Sequence, residues 1–278
     1  MNAYDIYQSQ YGVTIGNFNV MSHTASRFAK PLPDGTIKGG ETKEEWLERY
    51  NLVLDIIESL NIDILALEEV SNEFFQLLKN LYSYYIIYKP HPNNLAVLVK
   101  KTTVLQKPVE IPINFEHKYS KVQGISVILA NNIPLNIYNV QLNGNPVEFM
   151  DRRRVIDNLE NPDIIIGDFN EDKNLFRLHV NTMPDYNIEG LDFSTSYSRF
   201  LVKGKKVVEI KENPWENIDN IIYKKYLRMA YKQIYPNEGL YGKQVPYHMT
   251  EPFHFVKNYY APDGWPSDHS IQVYTFLF

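Results

Sequence analysis

The chain has no cysteine, so it forms no disulfide and offers no thiolate to a metal. That makes an intracellular location, cytoplasmic or nuclear, the simpler expectation. No apolar run approaches the ~18 residues needed to cross a bilayer. The opening Met1-Asn2-Ala3-Tyr4-Asp5 lacks the basic and apolar regions of a signal peptide. Positive charge is also in short supply: 28 Lys and Arg stand against 33 Asp and Glu, a formal net charge of -5. No global basic field therefore advertises nucleic acid, although a cluster of metal-binding acids would itself pull the balance down. Local basic spots at Arg152-Arg153-Arg154, Lys203 to Lys206 and Lys224-Lys225 read as solvated faces.

What is present is ordinary globular composition, 44% apolar and 22% charged over 278 residues. One domain spanning residues 1–278 is expected, because no repeat, linker or composition shift divides the chain. Val13 to Val20 reads as a strand, and the proline- and glycine-bearing stretch Lys30 to Gly40 as an exposed loop. Thr42-x-x-Glu45 is a capping box opening a helix with Trp46, Tyr50, Val53, Ile57 and Leu60 on one face. A strand at Ile62 to Leu67 and a short Ser71-capped helix to Leu78 follow. Further strands are expected at Tyr84 to Tyr88, Leu95 to Lys100, Val122 to Ala130 and Leu135 to Leu142. Asn131-Asn132 makes the turn between the last two.

Asn145-Pro146-Val147-Glu148 starts a helix running to about Leu159. It delivers the chain into Asp163 to Asp172, where three isoleucines read as a strand buried on both faces. That strand meets Gly167, Asp168, Phe169 and Asn170, and two-residue alternation puts Asp168 and Asn170 on one side. A hairpin around Gly204, a strand at Asp219 to Tyr223, an aromatic stretch from Pro236 to Pro266 and a final strand at Ile271 to Phe278 complete the chain. Many strands and few helices predict an α+β domain, two sheets face to face with helices outside.

The polar candidates fall at strand ends: Asn19, Glu69, Gln141, Asp168 with Asn170, and Asp268-His269, whereas Asp219 begins a strand. Singly, each has an ordinary structural explanation as a turn, a cap or a hydrogen-bonded histidine. Together they form an oxygen-rich set without thiolates, which suits Mg2+ or Mn2+ better than zinc. Metal-assisted phosphoryl hydrolysis is the chemistry such groups serve.

In order along the chain, these motifs resemble the endonuclease/exonuclease/phosphatase superfamily, with its deoxyribonuclease I-like fold. The resemblance rests on Phe18-Asn19-Val20, Trp46-x-x-Arg49, Leu67-Glu68-Glu69-Val70, Gly167-Asp168-Phe169-Asn170, Ile218-Asp219-Asn220-Ile221-Ile222 and Ser267-Asp268-His269. It implies a four-layered α/β/β/α sandwich with two central mixed β-sheets. It also implies roles. Asn19, Glu69 and Asp268 would hold the divalent ion, and Asp168 would activate the attacking water. Asn170 would position that water and the scissile phosphate. His269, its ring held by Asp219, would stabilise the phosphoryl transition state.

Two positions depart from the pattern. Gln141 stands where the family has histidine, and glutamine donates a hydrogen bond but carries no charge. Met21 stands where the apurinic-endonuclease and tyrosyl-DNA phosphodiesterase branches carry aspartate, which leans away from DNA repair. The first expectation is a metal-dependent nuclease or nucleic-acid-end phosphodiesterase acting on DNA or RNA as a monomer without membrane contact. Arg199, Tyr241 and Trp265 are candidate substrate contacts, the aromatics by base stacking. The competing expectations are a phosphatase or phospholipase acting on inositol phosphates or another small phosphate ester, and a catalytically weakened binding module. Glu171 and Asp172 read as solvated loop acids.

Overall fold

The computed structural model describes residues 12–23, 30–31, 37–38, 42–115, 119–144, 149–171, 183–189, 196–197, 200–203, 206–210, 215–216, 218–235, 267 and 269–278. The first described element is β1 (Gly12–Asn19), followed by the two-residue strands β2 (Lys30–Pro31) and β3 (Ile37–Lys38), which pair where only a loop is expected. Helix α1 (Lys43–Leu60) is opened by the predicted capping box. Thr42 Oγ1 accepts from Glu45 N–H, and Glu45 Oε2 accepts from Thr42 N–H. It stops at Asn61, whose left-handed backbone ends the helix. Then come β4 (Ile64–Glu68), α2 (Asn72–Leu78) capped by Ser71, β5 (Tyr84–Lys89), β6 (Leu95–Lys100), β7 (Val109–Ile111), β8 (Lys121–Ile128) and β9 (Pro134–Gln141). Helix α3 (Phe149–Asp157) leads into β10 (Ile164–Asp168); the predicted helix start at Asn145 to Glu148 lies outside the described residues. The remaining described elements are β11 (Tyr186–Glu189), β12 (Ser196–Tyr197), β13 (Phe200–Lys203), β14 (Lys206–Ile210), β15 (Trp215–Glu216), β16 (Asp219–Lys224), β17 (Arg228–Tyr235) and β18 (Ile271–Leu277). The predicted hairpin is the antiparallel pair β13 and β14.

Two six-stranded mixed sheets form the centre, ordered β17-β18-β1-β4-β6-β5 and β11-β16-β10-β9-β8-β7. Each is built around one parallel pair, β1 with β4 and β9 with β10, flanked by antiparallel neighbours. The carboxyl ends of all four parallel strands therefore lie at one edge of the molecule. Strand β16 runs antiparallel to β10 and sets Asp219 opposite Asp168, so a strand start joins the same edge.

Alternation decides what each face carries. The inward positions of the parallel strands run Ile15, Asn17, Asn19; Ile64, Ala66, Glu68; Ile137, Asn139, Gln141; and Ile164, Ile166, Asp168. The apolar members pack with Ile221, Tyr223, Tyr274 and Phe276 into a buried core between the sheets. Toward the carboxyl edge the same face turns polar without leaving the interior, and Asn17, Asn19, Glu68, Asn139, Asp168 and Asp219 are all buried. The outward positions hold the helices. Tyr50, Val53 and Ile57 of α1 and Phe74 and Leu78 of α2 pack on Leu65 and Leu67. On the other sheet, Val155 and Ile156 of α3 pack on Val140, Ile165 and Ile222. The four-layered α+β sandwich predicted from the motifs is the architecture observed.

Two expectations about surface charge are corrected. Glu171 is buried, and Arg152 Nε lies 3.2 Å from its Oε2, with both side chains under a tenth exposed. Arg152 NH1 also donates to Asn143 C=O, so this ion pair ties α3 to the loops at the carboxyl edge. An arginine triplet reads as a solvated run only when all three face water, and helical spacing turns Arg152 inward. Lys224 is likewise paired, with Nζ 2.9 Å from Asp163 Oδ1.

Candidate active site

The carboxyl edge gathers the candidates because β1, β4, β9 and β10 all end there. Glu69 follows β4 with a backbone φ of 58°. A glutamate has no intrinsic reason to adopt that left-handed conformation, and such strain clusters at functional sites. Its carboxylate is held by three N–H donors: Oε1 accepts from Asn19 Nδ2 (3.2 Å) and Gln141 Nε2 (3.0 Å), and Oε2 from Ser22 N–H (3.2 Å). Asn19 reaches across to the other sheet as well, where the same Nδ2 lies 3.3 Å from Asp168 Oδ2. Two acids from opposite sheets thus meet around one amide nitrogen. The oxygen of Asn19 accepts from Met21 N–H (3.0 Å).

Met21 is itself buried and left-handed (φ 55°), and its carbonyl accepts from the buried Arg49 NH2 at 2.9 Å. Arg49 NH1 donates to the neighbouring Val20 C=O at 2.8 Å. The Trp46-x-x-Arg49 pattern therefore serves to brace the turn after β1.

Asp168 is almost fully buried. Desolvation is the main force on its carboxyl. The positive field of His269 opposes it, Asp219 adds to it, and the net effect pushes the pKa up to about 7. Its Oδ1 accepts from Asn170 N–H at 2.9 Å. The predicted alternation of Asp168 and Asn170 stops where β10 stops. Asn170 turns left-handed (φ 50°) and its Nδ2 donates to Leu142 C=O at 2.8 Å, so backbone rather than side chain links it to Asp168. Gly167 makes the approach possible. At its φ of +141° a Cβ would sit 2.1 Å from Val140 O and 3.1 Å from Glu68 Oε1.

His269 and Asp219 complete the set, with His269 Nδ1 lying 3.0 Å from Asp219 Oδ2 and both side chains essentially without exposure. A carboxylate only accepts, so Nδ1 carries the proton in this contact and the ring is fixed. The opposite oxygen of Asp219 accepts from Asn17 Nδ2 at 3.4 Å. Ser267 anchors the segment by donating its hydroxyl to Asn19 C=O at 2.5 Å while accepting from His269 N–H.

Asn19, Glu69, Gln141, Asp168, Asn170, Asp219 and His269 are therefore brought to one edge. Asp268, Arg199, Tyr241 and Trp265 lie outside the described residues, as does Asp172. Two residues escaped the sequence reading. Lys121 donates to Gln141 Oε1 at 2.6 Å; counting outward from the turn at Asn131 would have paired these positions. Glu68 is fully buried, and neither carboxyl oxygen has a hydrogen-bond partner. Burial raises its pKa well above the ordinary 4.5, with Asp219 and Asp168 adding to the effect. Its signal was the acid beside Glu69 where the resembled motif has glutamine.

A cavity at the opposite edge, lined by Gly12, Asp63, Lys100, Thr103 and Leu129, does not compete for the chemistry. Its carboxylate, Asp63, already accepts from Thr14 N–H, Thr14 Oγ1 and Thr103 Oγ1.

A family model described as Endonuclease/Exonuclease/phosphatase family matches residues 16–269, which takes in every motif at this edge. The chain belongs to that family. Among solved structures, one that resembles it is D. rerio TDP2 complexed with single strand DNA product. The two share 13% identity over 96% of this chain and 99% of that one, with a TM-score of 0.65. The human Nocturnin catalytic domain with bound sulfate anion shares 15% identity over 96% of this chain and 94% of that one, at 0.59. TDP2 from C. elegans shares 16% over 96% and 75%, at 0.58. These likenesses establish the fold. No curated protein matches the chain. Family membership supports a phosphoesterase of the nuclease and phosphodiesterase type, in a family that typically uses divalent metal ions. No helix among the described residues is long and apolar enough to cross a membrane.

Proposed function

We propose that the chain is a divalent-metal-dependent phosphodiesterase that hydrolyses nucleic-acid phosphodiester bonds, internal or terminal, by in-line attack of an activated water. The observation that carries this reading is the meeting of Glu69 and Asp168, from opposite sheets, around Asn19 Nδ2. The donor set fits a hard cation, since it offers carboxylates and amides and no sulfur. Among the described residues no group of three or more His, Asp or Glu stands ready to hold a metal. The proposed ligand shell therefore draws on Glu69, Asn19 and Asp268, the last of which lies outside those residues. A divalent ion would polarise the phosphoryl oxygen and offset charge on the leaving oxygen.

The chain's own groups do the rest. Asp168, with its pKa pushed up to about 7, is matched to accept a proton near neutrality, and Asn170 N–H holds its Oδ1 in place. His269, oriented by Asp219, would as the imidazolium donate Nε2–H to the phosphoryl oxygens that gain charge in the transition state. Gln141 Nε2 holds Glu69 and adds an amide donor. Arg199, Tyr241 and Trp265 are kept as proposed substrate contacts. The D. rerio TDP2 structure with its single strand DNA product supports nucleic acid as the substrate class.

The test is turnover of bis-p-nitrophenyl phosphate with and without Mg2+, followed by a panel of single-stranded RNA, single-stranded DNA, duplex DNA and inositol phosphates. Metal-dependent cleavage of at least one polynucleotide is expected, and Asp168→Asn should lower it by ~10²-fold or more with the fold intact. Turnover of inositol phosphates alone would replace the nuclease reading with the small-ester one.

A further inference from the structure

Glutamine at position 141 leaves the site without the charge that a protonated histidine would bring, and the structure supplies a cation one strand away. Lys121 opens β8, and the β8–β9 register sets it directly opposite Gln141. Its ammonium donates to Gln141 Oε1 at 2.6 Å, and Gln141 Nε2 donates to Glu69 Oε1 at 3.0 Å. The ends of this chain permit only one orientation of the amide, because an ammonium has no acceptor and a carboxylate no donor. Gln141 is nearly buried, so the amide is gripped at both ends inside the site rather than waving at its rim. The nitrogen of a primary amide carries two hydrogens, and among the described residues only Glu69 accepts from it.

We propose that Lys121 is a positioning residue that polarises Gln141 into a stronger hydrogen-bond donor toward a phosphoryl oxygen. The ammonium draws electron density from Oε1 and strengthens the N–H groups at the far end of the same amide, since hydrogen bonds in series polarise one another. It also fixes the plane in which the second N–H lies. The pair Lys121–Gln141 thus places a hydrogen-bond donor backed by positive charge where the family motif has histidine. Unlike a histidine, it neither gains nor releases a proton at Gln141, so the device binds and orients the anion without serving as its acid. The ligand chemistry is that of an oxyanion bearing a tetrahedral phosphorus, and the inference rests on the phosphodiesterase reading above.

The alternative is a lysine that merely closes the edge of the sheet, and three readouts separate the two. The proteins compared are wild type, Lys121→Met, Lys121→Arg, Gln141→Leu and the Lys121→Met/Gln141→Leu double variant, each checked for an unchanged melting temperature. The probes are bis-p-nitrophenyl phosphate turnover, competition by inorganic phosphate, and Mn2+ binding followed by the electron paramagnetic resonance signal of the free ion. Lys121→Met should lower kcat/KM and weaken phosphate inhibition by about 10- to 100-fold, the range of a charge-assisted hydrogen bond. Mn2+ affinity should stay the same or rise, because a like charge has been removed from near Glu69. Lys121→Arg should restore most of the loss, and the double variant should be no worse than Gln141→Leu alone. Parallel weakening of phosphate and Mn2+ would mean a structural role and overturn the proposal. So would unchanged phosphate binding in Lys121→Met, or additive losses in the double variant. If wild type shows no metal-dependent turnover, it is the phosphodiesterase reading that falls, and direct titration of inorganic phosphate by calorimetry, alongside the Mn2+ titration, still decides the role of Lys121.

Discussion

Replacing Glu68 with glutamine should stabilise the metal-free protein, and by an amount that grows with pH. Glu68 sits between the sheets with no exposure and no hydrogen-bond partner for either oxygen. Burial, then Asp219 and Asp168, keep its carboxyl protonated well above the ordinary 4.5. The unfolded chain has no such environment and ionises near that ordinary value. Between the two pKa values the folded state binds the extra proton, so unfolding becomes easier as pH rises. The slope for one group is about 1.4 kcal/mol per pH unit. Glutamine has the same shape and no proton to lose, so the advantage of Glu68→Gln over wild type should widen by about 1.4 kcal/mol from pH 5 to pH 6. In a chain of this size that corresponds to roughly 2–3 °C in melting temperature. Asp168 titrates in both proteins and cancels to first order in the difference. The assay is calorimetric melting of both proteins in EDTA at pH 5, 6 and 7. A difference that stays flat across this range, or a wild type that gains on the variant as pH rises, would refute the burial argument for Glu68.

Two other substitutions probe the frame around the site. Asp219→Asn removes the carboxylate that fixes His269 at 3.0 Å and should cost about 10- to 100-fold in kcat, with Mn2+ binding unaffected; full activity would exclude Asp219 as the group that orients the ring. Gly167→Ala puts a Cβ 2.1 Å from Val140 O at a φ of +141°. Urea denaturation should show a loss of about 2 kcal/mol or more, and a midpoint equal to wild type would mean that β10 relaxes freely.

Much of the fold was legible because local rules govern it. The capping box at Thr42, the four-and-three spacing of Trp46 to Leu60 and the three isoleucines before Gly167 each fix an element with little help from elsewhere. The strands that escaped are those that local rules describe poorly. Strand β7 has only three residues, and β17 at one sheet edge has a solvent-facing side where alternation is weak. Solvation was misjudged for the same reason. Whether Arg152 meets water or Glu171 depends on a loop nineteen positions away, and no window around the arginine triplet contains that information.

The sequence by itself determined which residue types stand at the strand ends, and from these the oxygen-rich character of the site and the family resemblance. It did so because a strand end followed by an acid or amide is a local pattern. Tertiary structure alone decided how those ends combine. Two parallel pairs in separate sheets bring Glu69 and Asp168 to one Asn19 nitrogen, across sequence separations of 50 and 149 residues. The same packing buries Glu68 among like charges and stands Lys121 behind Gln141. Burial, desolvation and cross-strand register are properties of the assembled sandwich, and they turn a series of strand ends into a site with a carboxyl poised near pH 7.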